Sequence, residues 1–136
     1  MDHVRQYEIA LVAHDGKKPE MVRFIMQYHH LLKRKNIRLI ATGNTGRYIK
    51  ESGLEVQCVK SGPYGGDAQI AARVVEGKTH MVIFFRDPLD KHPHEPDIFM
   101  LMRLCDVHDV PLATNPATAR LLFESVLKLS RTKSKP

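Results

Sequence analysis

The chain has little of what marks the commoner functional classes. Among its 136 residues no apolar run approaches the ~20 residues that span a bilayer, which excludes a transmembrane helix of the usual kind. The segment Met1 to Glu8 is polar and charged, so no signal peptide is read there. Only two cysteines occur, Cys58 and Cys105, far apart and without metal or redox spacing. Both are expected to be buried thiols of a cytoplasmic protein. There is no GxxxxGK[ST] and no GxGxxG, so neither a nucleoside triphosphate nor a dinucleotide is indicated. There is no HExxH helix for zinc and no GxSxG elbow for a serine nucleophile. Internal repeats and low-complexity segments are absent as well.

What is present suits one soluble domain: 43% hydrophobic and 26% charged residues, in a length that can bury a real core. The expected division is a flank at 1–7, an α/β domain at 8–128 and a basic tail at 129–136. The formal charge is +6, and Lys128, Arg131, Lys133 and Lys135 concentrate part of it at the end. No aromatic-interleaved basic strand or helix-turn-helix accompanies that tail. It reads as a solvated, frayed terminus, with neither nucleic acid nor membrane as partner. The charge also suits a small anionic substrate.

Apolar runs alternate with helical patterns five times. Strands are expected at Glu8–Ala13, Ile37–Ala41, Leu54–Val59, His80–Phe85 and Val110–Ala113. The unalternating run at 80–85 reads as a central strand covered on both faces. One long helix is expected from Pro19 to the Lys33–Lys35 cluster, with Met21, Phe24, Ile25, Tyr28, Leu31 and Leu32 at a 3.6-residue period. A short helix is expected at Arg47–Glu51, after a Thr42–Gly46 loop. A third runs from about Asp67 to Glu76, with Ile70, Ala71, Val74 and Val75 inward. A fourth carries Ile98, Leu101, Met102 and Cys105, and a fifth Ala119, Leu122 and Val126. The fold class is α/β: a single-domain three-layer sandwich, with an open, mainly parallel five-stranded sheet and helices on both faces.

Such a sheet binds ligands at the carboxyl ends of its strands. The polar signals fall there: His14, Asp15, Lys18, Thr42, Thr45, Ser61, Gly62, Asp67, Asp87, His94, Asp97 and Asn115 all follow strands. Lys18 offers a cation, Thr42, Thr45 and Ser61 hydroxyls, and the Gly43, Gly46 and Gly62 turns backbone N–H groups. Together they suggest a cradle for phosphate or carboxylate on a small metabolite. Asp67, Asp87 and Asp97, with His14 and His94, supply candidate acids and bases. Two readings stand for Asp67: an N-cap of its helix, or a carboxylate with chemical work beside an anion site. Asn115 reads equally as a helix cap. Asp87, Asp90, His92, His94 and Asp97 hold enough donors for a metal. The stiff Pro88–Pro93–Pro96 loop and the lack of a cysteine weigh against one.

The segments AHD-x-x-K (13–18), ATG-x-TG (41–46), SGP-x-GGD (61–67), FFRDPL (84–89), PHEPD (93–97) and PLATN-x-AT (111–118) resemble the methylglyoxal synthases, in that family's order and spacing. The resemblance covers the chain from Ile9 to about Leu122. It implies a cytoplasmic bacterial lyase that converts dihydroxyacetone phosphate to methylglyoxal and inorganic phosphate without a metal or organic cofactor. It further implies a homohexamer inhibited by inorganic phosphate. Carried over by motif, Asp67 resembles the general base, while His14 and His94 resemble histidines that contact substrate. Lys18, Thr42, Gly43, Asn44, Thr45, Ser61 and Gly62 resemble the phosphate-binding set. Asp15, Asp87 and Asp97 resemble supporting acidic residues. Three positions depart from the pattern: Asn44 stands where Thr is commoner, Tyr64 replaces an aliphatic residue or Met, and Ala68 replaces a larger polar one. The alternative is a non-catalytic module of the same fold that binds a small phosphate effector. An acidic residue in the glycine turn, with the PHEPD loop, argues against a mere sensor.

Overall fold

In the computed structural model, residues 6–89 and 95–132 are described, with no account of the side chains of 95–97 and 128–132. Five strands form one sheet: β1 (Tyr7–Ala13), β2 (Ile37–Thr42), β3 (Gln57–Val59), β4 (Met81–Phe85) and β5 (Leu112–Ala113). Their order is β3-β2-β1-β4-β5, and every pairing is parallel. Helices α1 (Lys18–Gln27), α2 (His29–Leu32), α3 (Gly43–Glu51), α4 (Gly66–Val75), α5 (Glu95–Val107) and α6 (Pro116–Thr132) connect and cover it. Among the described residues no helix is long and apolar enough to cross a membrane.

Alternation along β1 divides the core. Ile9, Leu11 and Ala13 face α1, α3 and α6, where Met21, Phe24, Ile25, Ile49, Ala119 and Phe123 pack. Ala10 and Val12 face α4 and α5, against Ile70, Ala71, Val74, Ile98, Leu101 and Cys105. β4 is buried along its whole length, as its uninterrupted apolar run requires.

Several boundaries differ from the sequence reading. The expected single first helix breaks at Tyr28, which leaves α-helical angles (φ −113°, ψ 12°) so that α2 restarts separately. The expected Thr42–Gly46 loop divides between the last residue of β2, Thr42, and the first turn of α3, Gly43–Gly46. Glycine-rich sequence has poor helix propensity, so only tertiary context fixes it there. β3 spans Gln57–Val59, not 54–59, and β5 only Leu112–Ala113, not 110–113; both are edge strands. Cys58 is exposed, because β3 is an edge, whereas Cys105 is buried as expected. Val75, at the last turn of α4, is 47% exposed rather than inward. The helix α6 runs on to Thr132, into the segment read as tail.

Sequence-adjacent strands lie on one side of β1 and the later strands on the other. Connections from the carboxyl ends of β1 and β4 therefore leave in opposite directions, which opens a crevice between them.

Candidate functional site

The crevice holds a cavity of about 370 Å³ lined by Val12, Ala13, His14, Asp15, Gly16, Lys18, Thr42, Gly43, Asn44, Ser61, Gly62, Pro63, Asp67 and Phe84. Nine residues proposed from sequence are in that lining: His14, Asp15, Lys18, Thr42, Gly43, Asn44, Ser61, Gly62 and Asp67. A wider depression of about 850 Å³ lies at the other edge of the sheet, among Arg34, Lys35, Arg38, Lys50 and Glu55. It holds none of the carboxylate, histidine and glycine-turn chemistry, so the smaller cavity is the candidate active site.

Two glycine turns build the anion side. Thr42 ends β2 in extended geometry and stands at the N-cap of α3, but its side chain makes no capping hydrogen bond. The first N–H groups of α3 thus lack a side-chain cap and remain available to an anion. Gly43 has φ +39°, and a Cβ there would sit 2.7 Å from the Ser61 Cβ. The turns after β2 and β3 touch at this point, and only glycine permits it. Ser61 to Gly65 form one 3-10 turn, in which Tyr64 N–H and Gly66 N–H both donate to the Ser61 carbonyl at 3.0 Å. Gly66 opens α4; a Cβ there would lie 1.8 Å from the Lys60 carbonyl oxygen. The Gln69 side chain accepts from Lys60 N–H at 2.8 Å and ties α4 back to the end of β3.

Asp67 is in the first turn of α4 and is 1% exposed. Its carboxylate lies close to Gly62, where an added Cβ would meet Oδ1 at 3.4 Å. The carboxylate sits at the positive end of the helix dipole. His14, 5% exposed, stands opposite at the end of β1. Its Nδ1 accepts the Asp87 backbone N–H at 3.0 Å, and its ring meets Phe84 edge-on at 5.3 Å. That hydrogen bond places the proton of the neutral ring on Nε2 and makes it a donor. Asp87 itself accepts Leu89 N–H at 3.2 Å and packs on Gly16, where a Cβ would meet Oδ2 at 3.1 Å. Asp87 thus meets His14 through its main chain. At the mouth, Lys18 Nζ is 2.5 Å from Asp15 Oδ1.

Other sequence candidates fall elsewhere. Thr45 is fully buried within α3, behind the cradle, and its hydroxyl has no hydrogen-bond partner among the described residues. Asn115 caps α6, its Oδ1 accepting Thr118 N–H at 3.0 Å. Tyr64 is 80% exposed and does not line the cavity. His94, together with Asp90 and His92, lies outside the described residues, and so does the side chain of Asp97, whose backbone is in α5. Among the described residues no three His, Cys, Asp or Glu side chains gather to hold a metal. Sequence reasoning missed Gly16, Pro63 and Phe84 as wall residues and the Asp87 amide as the group that orients His14. A main-chain donor leaves no mark on residue type, so no signal in the sequence could have found it.

Comparison with known proteins gives the same picture. The MGS-like domain family matches residues 20–114. The methylglyoxal synthase of Thermoanaerobacter sp. (strain X514) is 56% identical over 119 residues, covering 87% of this chain and 89% of that protein. The methylglyoxal synthase of Exiguobacterium sp. (strain ATCC BAA-1283 / AT1b) is 49% identical over 136 aligned positions, 94% and 98% of the two chains. Among solved structures, the crystal structure of methylglyoxal synthase from Elizabethkingia anophelis NUHP1 superimposes with a TM-score of 0.79 at 42% identity, over 86% of this chain and 76% of that one. The chain belongs to the methylglyoxal synthase family, and the enzyme is a lyase.

Proposed function

We propose that the enzyme converts dihydroxyacetone phosphate to methylglyoxal and inorganic phosphate, with Asp67 as general base. The observation that carries this reading is a buried carboxylate at a helix N-terminus, inside a cavity walled by two glycine turns and a histidine donor. The substrate phosphate lies against the turns at Thr42–Thr45 and Ser61–Gly62, where helix N-termini and Lys18 favour a dianion. Asp67 takes a proton from the hydroxymethyl carbon. The charge that develops on the substrate carbonyl oxygen is met by the Nε2–H of His14 and by His94. The hydroxyl on the deprotonated carbon then gives up its proton, which passes to the enolate oxygen; its electrons form an aldehyde, the double bond shifts, and the carbon–oxygen bond breaks as the departing phosphate takes the proton held by Asp67. The enol released takes up a proton on carbon and becomes methylglyoxal.

Asp15 tethers Lys18 near the mouth, while Asp87 holds His14 in its donor tautomer. Asp97 keeps the supporting acidic role that the family resemblance implies for it. Inorganic phosphate, as product, occupies the same cradle and inhibits. The protein acts as a homo-oligomer, a reading supported by the large apolar side chains left exposed at Phe99, Val107 and Leu121; the hexameric number and the cytoplasmic location rest on the family resemblance alone.

Asp67→Asn tests the assignment. Turnover, followed as phosphate released from dihydroxyacetone phosphate, should fall about 10²- to 10⁴-fold, the usual contribution of a general base. A phosphate-bearing enediolate analogue should still bind. Wild-type turnover in Asp67→Asn would remove Asp67 from the role.

A further inference from the structure

At the edge of the sheet remote from the cavity, Glu8 occupies the second position of β1 and is only 3% exposed. Arg73 of α4 reaches it with a planar fork: Nη2 is 2.7 Å from Oε1 and Nε 2.8 Å from Oε2. Thr79 Oγ1 donates to Oε2 at 2.7 Å, and Arg38 Nε lies 3.4 Å from Oε1. The main chain closes around the same point. Glu8 N–H donates to His80 Nδ1 at 3.0 Å, His80 N–H to the Glu8 carbonyl at 2.9 Å, and Lys78 N–H to the Arg73 carbonyl at 2.9 Å. The carboxyl end of α4, the turn into β4 and the start of β1 are thereby joined.

We propose that the Glu8–Arg73 pair is a positioning clamp for Asp67, fixing the axial and rotational setting of α4 on β1. The inference rests on Asp67 being the base. Gln69 ties the first turns of α4 to the end of β3, while Ile70, Ala71 and Val74 attach the rest of it to β1 and β4 through apolar contacts. Such contacts are non-directional and tolerate slip along the helix axis. A bidentate pair does not tolerate it. A buried ion pair commonly gives no more stability than apolar residues of similar volume, so what this one adds is geometry. Arg73 follows Asp67 by six residues, which is about 9 Å along the axis and about 120° around it. An anchor displaced in both senses resists translation and rotation together. β1 also ends in His14, so the clamp and the donor histidine share one frame.

The paired exchange Glu8→Met with Arg73→Met removes the clamp while keeping volume. The expected outcome is a folded enzyme whose KM and inorganic phosphate affinity stay within about twofold, while kcat falls at least ~10-fold, since misplacement by about 1 Å can cost up to 10²-fold. Arg73→Lys keeps the charge without the fork and should give an intermediate kcat, which also serves if the paired exchange fails to fold. In an Asp67→Asn background the paired exchange should cost no further turnover, because the clamp acts through Asp67. Wild-type kcat in the clamp variants overturns the inference. So does an equal loss in the Asp67→Asn background, or a matching loss of phosphate affinity. If Asp67→Asn is inactive while clamp variants run at full kcat, the clamp alone is refuted. Full turnover in Asp67→Asn refutes the base assignment and the clamp with it.

Discussion

Gly43→Ala puts the geometry of the cradle to a quantitative test. The alanine Cβ would lie 2.7 Å from the Ser61 Cβ and 2.9 Å from its Cα. Carbon atoms in contact rest at about 3.5–4.0 Å, so the two turns must part by about 1 Å. A displacement of that size at a substrate-positioning element can lower kcat/KM by about 10²-fold. Most of the loss should appear in KM, because these turns hold the phosphate and not the reacting carbon. The φ of +39° adds strain for any residue with a side chain, roughly 1–2 kcal/mol. That corresponds to a fall in Tm of about 3–10 °C for a chain of this size. Gly65→Ala is the matched control: its φ is +100°, but nothing lies within 4 Å of the added Cβ. It should lose stability through backbone strain alone and keep its kcat/KM. The assay is phosphate release across a substrate series, paired with inorganic phosphate titration and thermal melts of both variants. Wild-type kcat/KM in Gly43→Ala, or equal impairment in Gly65→Ala, would show that close apposition of the turns does not set phosphate binding.

Two further outcomes follow from charges and burial. Burial is the largest single influence on Glu8 and raises its carboxyl, but hydrogen bonds from Arg73 and Thr79, with the charges of Arg73 and Arg38, outweigh it and hold the group below its ordinary value of 4.5. A depressed folded value contributes stability that is complete above the unfolded value and is lost as pH falls through the folded one. Urea midpoints should therefore drop below about pH 4.5 in the wild type, and less steeply in Glu8→Gln. Burial first, then the neighbouring Asp106 charge, pushes the Cys105 thiol up to about 11. At pH 8 a thiol reagent should modify the exposed Cys58 at once, with Cys105 reacting only on unfolding, as counted by mass spectrometry of the labelled chain.

The residues that line the carboxyl edge were legible because most motifs there start where an apolar run stops. A strand end followed within two residues by Gly, Ser, Thr or His is local information, and β1, β2 and β3 carry it plainly. The edge strands were harder. Leu54 and Val56 belong to the apolar pattern and are buried, yet only Gln57–Val59 pair with β2, so hydrophobicity overstated the strand. Cys58 was misplaced for the same reason. Gly43 to Gly46 looked like a loop because glycine opposes helix, and their helical state comes from docking under β1 and β2. Glu8 was visible as a carboxylate heading an apolar run. Its partner Arg73 is 65 residues away, and no local pattern connects them. The role of Asp87 was legible only as an acid, whereas its amide is what touches His14.

The order of the strands has a consequence for how the protein comes into being. β1 is made first but lies in the middle of the sheet. Its β2 flank can pair early, whereas the β4 flank waits for chain that arrives much later; Glu8 and His80, which meet at that seam, are 72 residues apart. Until then β1 is an edge strand with apolar residues on both faces, a form that invites pairing with other chains. Closure of so long a gap carries the main entropic cost of the topology and slows folding. A growing chain can thus hold both glycine turns and Asp67 while the wall formed by Phe84 and the Asp87 amide is still missing. The crevice that holds the chemistry is also the seam on which folding waits.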